Sequence, residues 1–230
     1  MAYTALTQQN PLRVLNMSKD SQMGLVMARA GLGKTALLVQ IALDAILRGK
    51  RVIHVSIGQS IDKTKAWYDD ILQLILQGHS VDRPHELIDM VSRHRMIMTF
   101  QASGFSRSRL EERLNDLVLQ DIFRPNCLIV DGFDFASADR DTLEDLKALV
   151  ETMGLQAWFS AIRHRDDARI SPNGVPAPCH EVDDLFDTAI LLIPQADASV
   201  ELQFINNSSE QAVGGKGLRL DPTTMMVKER

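Results

Sequence analysis

The sequence predicts an α/β fold: a mainly parallel, twisted sheet with helices on both faces and antiparallel strands at the C-terminal edge. Short apolar runs alternate with longer amphipathic runs between residues 23 and 162, which is typical of a parallel sheet covered on both sides. Two further apolar runs follow with only a short polar segment between them, which favours antiparallel pairing. The 230 residues suffice for one large domain with a substantial core.

The spacing of apolar residues predicts the individual elements. Strands are nearly continuous apolar runs, whereas helices repeat apolar residues every three or four positions. The strands are predicted at residues 23–28, 51–57, 96–100, 127–130, 156–162, 188–193 and 200–205. Helices are predicted at residues 34–48, 63–76 and 139–153, each with a glycine at or soon after its end. Another is predicted to begin at Ser108, which has capping-box spacing to Glu111.

Composition narrows the class of protein. A formal net charge of −5 gives no global attraction to nucleic acid or to an anionic membrane. The two cysteines, Cys127 and Cys179, form no disulfide framework, and we predict that Cys127 is a core residue. No apolar stretch approaches the roughly 18–20 residues of a membrane span, and residues 1–10 do not resemble a signal peptide. We therefore expect a cytoplasmic protein without membrane partners.

A glycine-containing turn separates the first predicted strand from the first predicted helix. Residues 28–35 have the sequence ARAGLGKT, which matches the P-loop pattern except that alanine replaces the first glycine. Glycines let backbone N–H groups surround a phosphate, and the helix start adds the positive end of its dipole. Lys34 would reach the β- and γ-phosphates, and the Thr35 hydroxyl would bind magnesium. The alternative is a strand–helix turn that binds nothing.

This turn predicts a site for ATP with Mg²⁺. Phosphate binding is assigned to backbone and side-chain groups of Ala30, Gly31, Leu32, Gly33, Lys34, Thr35 and Ala36.

An acid ends the fourth apolar run and completes the predicted site. Asp131 follows Leu128, Ile129 and Val130, so it lies at the tip of a strand, where it could hold magnesium through water. Any buried strand can end in Asp, and the pairing with residues 28–35 is what makes the assignment specific. We predict that Asp134 is a turn residue instead.

These features resemble the RecA-like ATPases, the group that holds the recombinases, the RadA and KaiC types and the DnaB-type helicases. The resemblance covers about residues 24–220 and uses four stretches: GLVMARAGLGKTALL, RVIHVSIGQS, WFSAIRHR and EVDDLFDTAILL. It implies a single RecA-like domain at residues 23–230 after an N-terminal segment at 1–22. It also implies a homo- or hetero-oligomer and γ-phosphate sensing by Arg163 or Arg165.

Two departures from the family pattern concern catalysis. The family places a glutamate just after the second strand to activate water, whereas this chain has Gln59, which can orient a water but cannot accept its proton at neutral pH. Asp62 is the alternative base. The family's hexamers also send a cation from a late strand into the neighbouring site. Here residues 206–209 contain none, and Lys216 or Arg219 would have to serve.

Three functions therefore remain open. Lys34, Gln59 and Asp131 would be the catalytic residues of a slow or partner-dependent ATPase that drives conformational change in an oligomer. A second hypothesis is a regulatory module that holds nucleotide without hydrolysis. A third is a DNA-binding recombination accessory, although residues 166–180 have Arg169 as their only permanent cation and no aromatic side chain to stack on a base.

Overall fold

The computed structural model describes residues 4–15, 23–164, 166–205 and 217–229, and its centre is one nine-stranded sheet. The strands are β1 (Met23–Ala28), β2 (Val52–Ile57), β3 (Arg95–Phe100), β4 (Cys127–Asp131), β5 (Gln156–Ile162), β6 (Thr188–Pro194), β7 (Val200–Ile205), β8 (Leu218–Leu220) and β9 (Val227–Glu229). The α-helices are α1 (Thr4–Gln9), α2 (Lys34–Leu47), α3 (Ile61–Gly78), α4 (Pro84–His94), α5 (Arg107–Leu119) and α6 (Arg140–Thr152).

The strand order is β3-β2-β4-β5-β1-β6-β7-β8-β9. The pairs among the first six positions of this order are parallel, and those from β6 to β9 are antiparallel. This arrangement confirms the predicted α/β class with its mainly parallel sheet and antiparallel C-terminal part. Strand β5 lies between β1 and β4, so the two strands that lead to Lys34 and Asp131 are not neighbours.

Two apolar layers cover the sheet. One face packs against α5 and α6 and holds a group of edge-to-face aromatic rings: Phe100, Phe105, Phe133, Phe135, Phe159 and Phe186. The other face packs against α2, α3 and α4. Cys127 is buried, as predicted, and Trp158 is buried as well. Every helix in the described ranges is too short or too polar to cross a lipid bilayer.

Helix α2 is almost entirely buried because both ends of the described chain pack on it. Leu6 and Leu12 belong to its apolar layer. On the C-terminal side, the buried amide of Gln40 donates to the carbonyl of Met225 at 2.8 Å and accepts from the N–H of Val227 at 2.8 Å. The turn between β8 and β9 is therefore fastened to the helix that begins with Lys34.

Several predicted boundaries need correction. The serine that caps α5 is Ser106, whose hydroxyl accepts from the N–H of Arg109, so the capping box at Ser108 was wrong. Helix α4 was missed. Residues 200–205 were expected at the sheet edge, but β8 and β9 continue the sheet beyond them.

Gly24→Ala should destabilise the fold. A Cβ at Gly24 would lie 2.5 Å from the ring of Trp158, its neighbour on β5. Trp158 is buried, so its ring cannot move aside freely. Overpacking of this kind costs about 1–3 kcal/mol. Urea unfolding should show a lower midpoint for Gly24→Ala. Gly78→Ala is the matched control, because nothing lies within 4 Å of the added methyl group, and an unchanged midpoint in both variants would contradict the packing argument.

Candidate functional site

The residue 28–35 turn, called the glycine loop below, connects β1 to α2 through two left-handed glycines. Gly31 has φ 79° and Gly33, the N-cap of α2, has φ 88°, a backbone region that costs glycine nothing. No described side chain caps α2, so the N–H groups of its first turn are free to bind an anion. Beneath the loop, a Cβ at Gly33 would lie 2.9 Å from Leu220 Cδ1.

The Lys34 side chain folds back over the glycine loop. Its Nζ donates to the carbonyls of Ala28 at 3.2 Å and Arg29 at 3.1 Å. Burial lowers the pKa of the Lys34 ammonium, and the nearby Asp131 carboxylate partly opposes that shift. The Lys34 ammonium contacts two neutral carbonyls beside the helix N-terminus, and its positive charge there favours an anionic ligand.

Asp131, at the end of β4, joins the glycine loop to the sheet. The Thr35 hydroxyl donates to Asp131 Oδ2 at 2.6 Å, and the Ser160 hydroxyl donates to Oδ1 at 2.5 Å. Ser160 lies on β5 and also accepts from the N–H of Gly132 at 2.9 Å. The carboxylate is buried and fixed by two hydroxyls, and it holds the start of α2 against the end of β4.

Ser160 is a site residue that the sequence did not reveal. It is 2% exposed within the apolar part of β5, and both of its hydrogen bonds position the end of β4. A polar residue inside an apolar run is the only sequence feature that marks it. Its importance depends on β5 being the neighbour of β4, which the sequence does not state.

Buried polar side chains of β2 and α3 contact one another next to Asp131. Thr64 donates to the hydroxyl of Ser56, the residue of β2 in register with Asp131, at 3.0 Å. Deeper in β2, His54 Nδ1 lies 3.1 Å from the Tyr68 hydroxyl, and burial lowers the pKa of His54 to about 4. His54 is therefore neutral at physiological pH and adds no charge beside Asp131.

The donor set suits a hard cation. A hydroxyl and a carboxylate oxygen meet where a phosphate would approach α2, and oxygen is the ligand that Mg²⁺ prefers. No group of three or more His, Cys, Asp or Glu side chains in the described part of the chain could hold a metal ion. The hydroxyl of Thr35 and the single carboxylate of Asp131 fit magnesium, which usually binds through one or two carboxylates plus substrate phosphates.

The two candidate bases lie near the same sheet edge but are not fixed by contacts. Gln59 follows β2 by two residues, is exposed, and makes no side-chain hydrogen bond to the described residues. Asp62 is exposed in the first turn of α3. The structure therefore brings Lys34, Thr35 and Asp131 together without placing either base on them.

The predicted cations have different surroundings. Arg163 directly follows β5 and lines a cavity with Arg29. Arg219 lies 3.7 Å from Asp197, and Arg169 pairs with Asp167 at 2.6 Å, so both already have acidic partners. Arg165, residues 206–209 and Lys216 lie outside the described residues.

Asp134 has the role predicted for it. Its carboxylate accepts from the N–H groups of Ala136 and Ser137, which is a turn cap at the surface.

No protein-family model matches this chain, and no curated protein matches it. The function must therefore be inferred from the geometry of the site.

Proposed function

We propose that this chain is a RecA-like P-loop protein that binds ATP with magnesium and hydrolyses it slowly or with the help of a partner. The main support is the 2.6 Å hydrogen bond from the Thr35 hydroxyl to Asp131, which joins the start of α2 to the tip of a strand that is not adjacent to β1. A turn that binds nothing has no need for a hydroxyl and an acid at this point. An uncapped helix N-terminus and a half-buried lysine lie beside them.

The residues of the chain would divide the work as follows. The N–H groups of the glycine loop and the first turn of α2 bind the phosphates, and Lys34 neutralises their negative charge. Thr35 and Asp131 hold magnesium, which when bound would offset charge on the β- and γ-phosphates. Ser160 keeps the Asp131 carboxylate oriented toward Thr35.

The exposed position of Gln59 supports the second candidate, a module that holds nucleotide without turning it over. A side chain with no hydrogen bond to the described residues is not held against an attacking water, and an amide is no base. Phosphate release under saturating ATP with magnesium separates the two candidates. Light scattering with and without nucleotide tests the oligomer that the family resemblance implies.

Asp131→Asn should weaken the binding of ATP with magnesium by about tenfold or more, because a charged ligand partner is worth about 1.5–3 kcal/mol. The fold should survive, since an amide oxygen can still accept from Thr35 or Ser160. Calorimetric titration of ATP with and without magnesium measures both effects, and binding without magnesium should change less. Asp134→Asn is the control. Equal affinities of the wild type and Asp131→Asn would place the metal elsewhere.

A further inference from the structure

A small cavity of about 280 Å³ lies at the carboxyl ends of β5, β1 and β6. Arg29 of the glycine loop and Arg163 and His164 after β5 line its polar side. The end of β6, residues 191–194, forms an apolar wall. No described acidic residue lines the cavity, although the chain as a whole has more acidic than basic residues.

The two arginines are unusual in having no partner. Among the described residues, neither the Arg29 nor the Arg163 guanidinium has an ion pair or a hydrogen bond, whereas the neighbouring Arg169 and Arg140 are both paired with carboxylates. Arg163 is held in place through its backbone, whose N–H donates to the carbonyl of Ala28 at 2.9 Å. Two like charges beside one cavity repel each other, and an anion bound between them would relieve that repulsion.

The cavity lies at the kind of position where open α/β sheets bind ligands. From β1 the chain passes to α2 on one face of the sheet, whereas from β5 it passes to residues 175–186, which pack on the other face. Adjacent strands whose connections leave to opposite faces open a crevice at their carboxyl ends, and ligands of open α/β sheets bind there. Arg29 and Arg163 stand on the two sides of this crevice.

The cavity is separate from the magnesium end of the proposed nucleotide site. Asp131 ends β4, which lies on one side of β5, whereas the cavity extends over β1 to β6 on the other side. At about 280 Å³ the cavity has room for a small oxyanion. A guanidinium group binds an oxyanion through two parallel hydrogen bonds. Phosphate has enough charge and enough oxygen atoms to bind two guanidinium groups.

We propose that Arg29 and Arg163 form a binding site for a phosphate-type oxyanion other than the nucleotide's own phosphates, in place of the γ-phosphate contact that the family resemblance implies for Arg163. The site goes beyond the proposed function and does not depend on it. The backbone carbonyl of Arg29 accepts a hydrogen bond from Lys34 Nζ, so the two sites are adjacent. Phosphate bound at one site would change the electrostatic potential at the other.

The test is titration of inorganic phosphate by calorimetry at constant ionic strength, adjusted with chloride. The Arg29→Ala/Arg163→Ala double variant should lose affinity by at least about tenfold, since hydrogen bonds to charged groups are the strong ones. Arg163→Lys should lose part of the phosphate affinity, because an ammonium keeps the positive charge but cannot make the two parallel hydrogen bonds of a guanidinium. Arg93→Ala, at an exposed arginine on α4, is the control, and circular dichroism checks that each variant is folded.

Lys34→Ala separates this proposal from the proposed function. Phosphate binding that survives Lys34→Ala and is lost in the double variant supports the arginine site, whether or not the wild type binds ATP. Binding that is lost in Lys34→Ala and survives in the double variant places phosphate on the glycine loop and overturns the proposal. The absence of phosphate binding by the wild type also overturns it, and the ATP titration then stands as a separate result.

Discussion

In a Lys34→Ala variant, ATP with magnesium should no longer raise the melting temperature of the protein. A ligand that binds only the folded state stabilises it by about 2.7 kcal/mol at one hundred times its Kd. In a protein of this size each kcal/mol raises Tm by roughly 2–4 °C, so the wild type should gain roughly 5–11 °C. Lys34 is the cation nearest the uncapped start of α2, and its removal should abolish this shift.

The measurement is thermal unfolding with and without nucleotide and magnesium. Lys65→Ala on the exposed face of α3 is the control, and it should keep the full shift. The unliganded Lys34→Ala variant should melt near the wild type, since among the described residues the ammonium makes two hydrogen bonds, both to loop carbonyls. If no nucleoside triphosphate shifts the wild type, the proposed function is wrong.

The central sheet could be predicted because its strands are buried on both faces. Strands β1 and β4 are wholly buried, and strands buried on both faces are nearly continuous apolar runs. Helix α4 buries Leu87 and Val91, which recur at helical spacing, and it was missed although this spacing indicates a helix. Pro84 in its first turn was a second indication. Strands β8 and β9 have three residues each. Strand β8 pairs with β7 and β9 pairs with β8, so their place at the edge of the sheet depends on contacts that the linear sequence does not state.

The candidate site could be predicted in part, because some of its residues lie in local sequence patterns. Lys34 and Thr35 follow from a local motif, and Asp131 follows from its place at a strand tip. Ser160 and the cavity of Arg29 and Arg163 depend on strand order, because β5 lies between β1 and β4 only in the folded sheet. A linear pattern states which residues end strands, but it does not state which strands are neighbours.

Gln59→Glu should raise the basal rate of ATP hydrolysis, by up to the 10²–10⁴-fold that a positioned general base contributes. Ser56 is in register with Asp131 across β2 and β4, so Gln59, three residues later, lies at the same edge of the sheet as the proposed magnesium ligands. Glutamate has the same length as glutamine and supplies the missing proton acceptor. A steady-state phosphate-release assay measures the rate, and Gln73→Glu on the exposed face of α3 adds the same charge as a control.

Asp62 is the competing base, and the same assay distinguishes the two. Asp62 lies in the first turn of α3 and its side chain is exposed. If Asp62 is the base, Asp62→Asn should remove the activity and Gln59→Glu should change little. If Gln59 holds the base position, Asp62→Asn should leave the slow wild-type rate intact. A wild-type turnover near the roughly 10 s⁻¹ median of enzymes would show that the site is not impaired at all, because an amide at the base position could not support it.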